Sequence, residues 1–230
     1  MLIDLLESSS GCFAIDNELI DIVYFEFYLE VIKKGDVIIS YDTLSDVKSS
    51  LGGIKNKKEY FKNLSSEDCK SIALAQYEKN TKLLKGRDVT VSYHLPLSAI
   101  LDAHFIDKMI SKSEHRTAFE IDQINIDLNS SELVKDLLLN IEKIKKCGGE
   151  IWLNDYIHTS KSKEEAVKKI NFDLVKLDKK YWWMDGRFND LFKQVMTMRN
   201  SVGSIVVKGV ESDFQFDLVK RLNVMAQGSF

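Results

Sequence analysis

Seven short stretches of this chain end in side chains that bind cations, move protons or carry charge: Glu26, His94, Glu120 with Gln123, Asn154-Asp155, Lys176, Lys208 and Gln227. Carboxylates and amides are ligands for hard divalent cations, and a divalent-metal site of that kind argues for a hydrolase. The lysines work against that chemistry. Lys208 ends the β-branched run Ser204-Ile205-Val206-Val207, where a carboxylate would complete a cation site, and an ammonium there repels a dication. His94 is a transition-metal ligand type, but a lone histidine at a strand end more often serves as a hydrogen-bonded structural residue. The set reads as a site that has kept its place and exchanged its chemistry.

What positions these residues is an alternation of helical and extended periodicity from about residue 65 onward. Extended stretches are expected at Val89–Leu95, Ala118–Gln123, Ile151–Tyr156, Phe172–Leu177, Ser204–Val207 and Val224–Gln227, with a helix-length segment between each and the next. Ser65-Ser66-Glu67-Asp68 and Asn129-Ser130-Ser131-Glu132 offer helix N-caps. The apolar spacing Leu133, Leu137, Leu138, Ile141, Ile144 predicts a helix that stops at Gly148-Gly149. Ahead of these, Cys12–Ile15 and Ile20–Tyr28 flank Asp16-Asn17-Glu18, which predicts a hairpin and an antiparallel first strand. Residues 31–64 give no assignment beyond a short helix. Hairpin and six repeats make eight strands, hence an α/β (β/α)8 TIM-like barrel whose functional groups gather at the strands' C-terminal ends.

At 230 residues, with 44% hydrophobic side chains, the chain can bury one large core, and one domain spanning 1–230 is expected. Basic and acidic residues number 32 and 35 and give a net charge of −3. No basic field exists to draw nucleic acid or an anionic membrane. Cys12, Cys69 and Cys147 are widely spaced and odd in number, which fits a reducing compartment rather than a disulfide framework. Asp4 and Glu7 stand where a basic leader would begin, and no 18-residue apolar stretch follows, so the expected location is the cytoplasm.

The stretch Ile144–Asp178, IKKCGGEIWLNDYIHTSKSKEEAVKKINFDLVKLD, resembles a motif of the bacterial EAL-domain phosphodiesterases that hydrolyse cyclic-di-GMP, in which "A-L-D-D-F-G-T-G" precedes a helix and "D-x-(L/V)-K-I-D". Val206–Gly228, VVKGVESDFQFDLVKRLNVMAQG, resembles the same family's "A-E-G-V-E-T-x-x-Q" and terminal "Q-G". Shorter echoes are FEFYLEV at Phe25–Val31 for "F-E-A-L-L-R-W", VSYHLP at Val91–Pro96 for "V-N-(L/I)-S", and FEID at Phe119–Asp122 for "E-(L/I)-T-E". Relative to those motifs the chain ends soon after the eighth strand, without the turn and helix that follow it in the family.

The resemblance implies Glu26, Glu120, Asp155, Lys176, Glu211 and Gln227 as retained site positions and Mg or Mn as the cofactor of an active member. Four positions depart: His94 replaces an asparagine, Gln123 a glutamate, Asn154 an aspartate and Lys208 a glutamate. Glu30 stands at the place given to a phosphate-binding arginine and counts against cyclic-di-GMP as a ligand. The segment Tyr156–Ser160 lacks the glycines of "F-G-T-G". The expected function is therefore an inactive EAL-like barrel that holds no metal or nucleotide and regulates by binding a protein. The family's inactive members that capture the flagellar transcription activator are the analogy for that partner. The alternatives from other classes are a cyclic-di-GMP phosphodiesterase with a rearranged site and a non-hydrolysing receptor. Trp182 and Trp183, adjacent ahead of a helix expected at Arg187–Asn200, are the candidate partner-binding residues.

Overall fold

In the computed structural model, residues 23–111, 115–122, 131–157, 161–179 and 188–230 are described. Strand β1 (Val23–Lys34) turns through Gly35 and Asp36 into β2 (Val37–Ser49), and the two pair antiparallel over twelve positions. Gly35 sits at φ +57, where a side chain would be strained. Strands β3 (Thr90–His94), β4 (Arg116–Asp122), β5 (Glu150–Tyr156), β6 (Leu174–Leu177), β7 (Ser204–Lys208) and β8 (Met225–Gln227) follow, each parallel to the one before. Pairing of β8 with β1 at Ile32–Gln227 and Lys33–Ala226, antiparallel, closes the barrel.

The helices come where the periodicity changes. They are α1 (Lys57–Lys62), α2 (Ser66–Leu83), α3 (Leu97–Leu101), α4 (Ala103–Ser111), α5 (Ser131–Lys146), α6 (Lys161–Ile170), α7 (Phe188–Met198) and α8 (Asp213–Arg221). Ser65 caps α2 by accepting from the Asp68 N–H at 3.1 Å. The C-terminus of α5 closes as expected, with Gly148 at φ +80 and the Gly149 N–H donating to the Ile144 carbonyl. The cap expected at Asn129–Ser130 lies outside the described residues.

The first hairpin is a correction. Eight strands and an antiparallel first strand hold, but the partner of β1 follows it at 37–49 rather than preceding it around Asp16. The segment expected before Asp16 lies outside the described residues. The turn signal that decides the pairing is Gly35-Asp36, between the β-branched ends Val31-Ile32 and Val37-Ile38-Ile39.

Period-two alternation gives the barrel two interior layers. Ile32, Ala118, Trp152, Leu174, Val206 and Met225 form a buried apolar cluster separate from the core between strands and helices. The residue two positions nearer the C-terminal mouth is polar on every one of these strands: Glu30, Glu120, Asn154, Lys176, Lys208 and Gln227. For β1, which runs the other way, that step is backwards in sequence. An oily floor therefore carries a polar layer, and the polar layer is the site.

Candidate functional site

Four ionisable side chains make the centre. Lys176, completely buried on β6, places Nζ 2.9 Å from Asp42 Oδ2 and in contact with Glu120 Oε1. Its Nζ also lies over the Trp152 ring, 5.3 Å from the centroid. His94 Nε2 stands 3.3 Å from Asp42 Oδ1 and 3.2 Å from Glu120 Oε2. Those two contacts are ionic rather than directional, because Nε2 meets hydrogen-bond geometry with neither oxygen among the described residues. The His94 ring is 36% exposed, but Nε2 itself is buried against the acids.

The electrostatics follow from burial and sign. Burial pushes the Asp42 carboxyl up, but Lys176 and His94 outweigh it and hold it well below the usual carboxylate range. Burial likewise opposes a charge on His94, yet the Glu120 and Asp42 carboxylates prevail and raise it to about 9. At neutral pH Asp42 is thus an anion and His94 a cation beside it. Asp42 is further held by Ser92 Oγ at 3.0 Å and Gln227 Nε2 at 2.7 Å. The Gln227 amide also donates to Glu30, the residue directly across the strands from Asp42.

A second cluster adjoins the first. Lys208 Nζ donates to Asn154 Oδ1 at 2.8 Å and Asp155 Oδ1 at 2.7 Å, and Asn154 Nδ2 donates to Asp122 Oδ1 at 2.9 Å. Burial opposes the Lys208 charge, but Asp155, with Asp42 and Glu120 behind it, raises its pKa. The register of β5 against β6 slips between Leu153 and Tyr156, and Asp155 takes φ +49. That bulge turns the side chain of Asp155 toward Lys208, and it is the only positive-φ residue other than glycine within a described strand.

His94, Glu120, Asn154, Asp155, Lys176, Lys208 and Gln227 therefore meet, as their strand positions imply. Glu26 does not. It lies on the same face of β1 as Glu30 but four residues away, about 14 Å at ~3.4 Å per residue, where it binds Lys48 at 2.5 Å and Tyr28. Asp42 of β2, not Glu26, is the acid that meets Lys176 and His94. Glu30 lies inside the mouth, accepting from the Gln227 amide. Glu211 is exposed on the turn before α8, its N–H donating to Gln215. Gln123, Trp182 and Trp183 lie outside the described residues.

Asp42, His94 and Glu120 each offer one ligand atom, all within 4.8 Å of one another, and could hold a single cation. Beside it, the space between Asn154 and Asp155 holds the Lys208 ammonium. Among the described residues, no helix is long and apolar enough to cross a membrane.

The sequence matches no protein-family model and no curated protein. Solved structures do match. An EAL domain protein from Listeria monocytogenes EGD-e is similar with TM-score 0.69 at 17% identity, over 89% of this chain and 85% of that one. The FimX EAL domain from Pseudomonas aeruginosa, solved bound to c-di-GMP, gives 0.72 at 12% identity over 89% and 88%. The EAL-like domain protein YdiV gives 0.67 at 13% over 90% and 91%.

Proposed function

We propose that this chain, whose fold is that of EAL domains, is a single-domain bacterial regulatory protein that works in the cytosol by binding another protein, without phosphodiester turnover. Its partner is a transcription activator of motility or virulence genes. The observation that carries the reading is Lys208 Nζ at 2.7–2.8 Å from Asp155 and Asn154. A tethered ammonium there supplies the positive charge that a second divalent ion would bring, and it cannot activate water. At ~4 Å and an effective dielectric near 20, two unit charges interact by about 4 kcal/mol. Exchanging an attractive carboxylate for a repulsive ammonium therefore swings dication affinity by several kcal/mol. Glu30 adds negative charge at the mouth, which opposes a dinucleotide's phosphates.

The protein-binding half of the reading draws on the resemblance to inactive EAL proteins and on α7. Phe188, Phe192 and Met196, spaced four apart, are 37%, 46% and 45% exposed. They form an apolar stripe on the outer side of a helix whose other side, at Leu191, Val195 and Met198, is in the core. Trp182 and Trp183 precede this helix in the chain.

Two measurements test the proposal together. Incubation with cyclic-di-GMP and manganese should give no product, and turnover at an enzyme's rate would overturn the reading. Capture of a motility or virulence activator from bacterial cytosol should be lost in the Phe192→Ser/Met196→Ser variant. The Asp42–His94–Glu120 group favours a second reading, a phosphodiesterase or receptor built on one cation. Saturable manganese-dependent binding of the dinucleotide by calorimetry would select it.

A further inference from the structure

The end of the barrel away from the polar layer also carries a concavity. A cleft of about 610 Å³ is lined by the loops that enter three neighbouring strands: Gly86–Asp88 before β3, His115–Thr117 at the start of β4, and Cys147–Gly149 before β5, with Ile110 as an apolar wall. That volume falls in the range of small-ligand sites. Among the described residues, two of the chain's five arginines, Arg87 and Arg116, line it, with one acid, Asp88. The chain otherwise uses lysine for most of its positive charge, so a concentration of the residue that binds phosphate through a planar fork is specific to this place.

Arg116 meets Asp88 through Nε at 3.3 Å, in a pair whose side chains are 55% and 90% exposed, and exposed pairs of this kind contribute little. A phosphate can replace Asp88 as the guanidinium's partner. The floor is rigid: His115 is buried, its Nε2 3.0 Å from the Tyr93 hydroxyl and its ring packed on Tyr77 at 5.5 Å between centroids. Gly149 cannot carry a side chain without meeting Ile144 at 2.9 Å, which fixes the course of the third loop.

We propose that this cleft is a binding site for a small phosphorylated ligand of nucleotide size, its phosphates held by Arg87 and Arg116 and its apolar part against Ile110. The site is separate from the mouth and independent of what the mouth binds. Cys147, exposed on the rim, provides the readout.

The full chain is titrated with ATP, and separately with pyrophosphate, while alkylation of Cys147 is followed by peptide mass spectrometry. ATP should protect Cys147 saturably, with pyrophosphate weaker. Arg87→Gln and Arg116→Gln should each weaken protection by about tenfold or more, since each removes a charge-assisted contact. Both arginines are exposed, so these variants keep the fold, and circular dichroism verifies it. Absence of protection at millimolar ATP, or protection undiminished in both arginine variants, would each overturn the assignment.

Discussion

Lys176 Nζ lies 2.9 Å from Asp42 Oδ2, and both side chains are out of contact with solvent. A buried ammonium persists only where carboxylates compensate its lost hydration, and here Asp42 and Glu120 do so from two different strands. The pair ties β2 to β6 across the lumen, so it acts as an internal brace as well as the centre of the site.

Lys176→Met therefore leaves two buried acids facing only His94. The variant should lose about 3–5 kcal/mol of stability, measured by urea unfolding. Combining it with Asp42→Asn and Glu120→Gln should recover part of that loss, because the uncompensated charge is then gone.

The site also sets two limits in pH. His94 is raised to about 9, so its contribution is fully present below its unfolded value near 6.5 and disappears as pH rises through about 9. Asp42 is depressed, so its contribution is present above the unfolded value near 3.9 and disappears in acid, as pH falls through the folded value. Unfolding free energy followed from pH 7 to 10 should fall, and His94→Gln should flatten that alkaline limb. A direct check is the His94 ring resonance, which should titrate near 9.

Lys208→Glu with Asn154→Asp exchanges a tethered cation for two carboxylates beside Asp155. Manganese should then bind at this position in calorimetry and raise the melting temperature, and the parent should show neither change there. Lys208→Glu alone, measured without metal, should be less stable than the parent because Asp155 loses its partner.

Gly228 has φ +152, and a Cβ there would fall 2.0 Å from the Val210 carbonyl oxygen. Gly228→Ala must push apart the end of β8 and the turn after β7, now joined by the Val210 N–H to Gln227 carbonyl bond at 3.1 Å. The loss should be about 1–3 kcal/mol or more, read by thermal unfolding, and should displace Gln227 from Asp42.

Much of the barrel was legible because its parallel strands are short β-branched runs between capped helices, and because polar residues close those runs at the mouth. Asp42 was not. It lies inside Val37–Ser49, where three residues at the start are exposed and four in succession are buried, so no alternation announces a strand. Phe25-Glu26-Phe27 has the residue types of the family's motif, but its register places Glu26 opposite Asp46, away from the polar layer. The bulge at Asp155 and the occupation of the second position by Lys208 depend on three-dimensional approach between β5 and β7, which no local pattern encodes.

The two interior layers differ in what they ask of a sequence. The floor of Ile32, Ala118, Trp152, Leu174, Val206 and Met225 fills volume, whereas the layer above needs only that its charges sum to balance. Roughly one residue per strand can then be redrawn, cation for anion or amide for acid, while the barrel beneath folds unchanged. A scaffold partitioned in this way can lose one chemistry and take up another through a handful of substitutions, without passing through an unfolded ancestor.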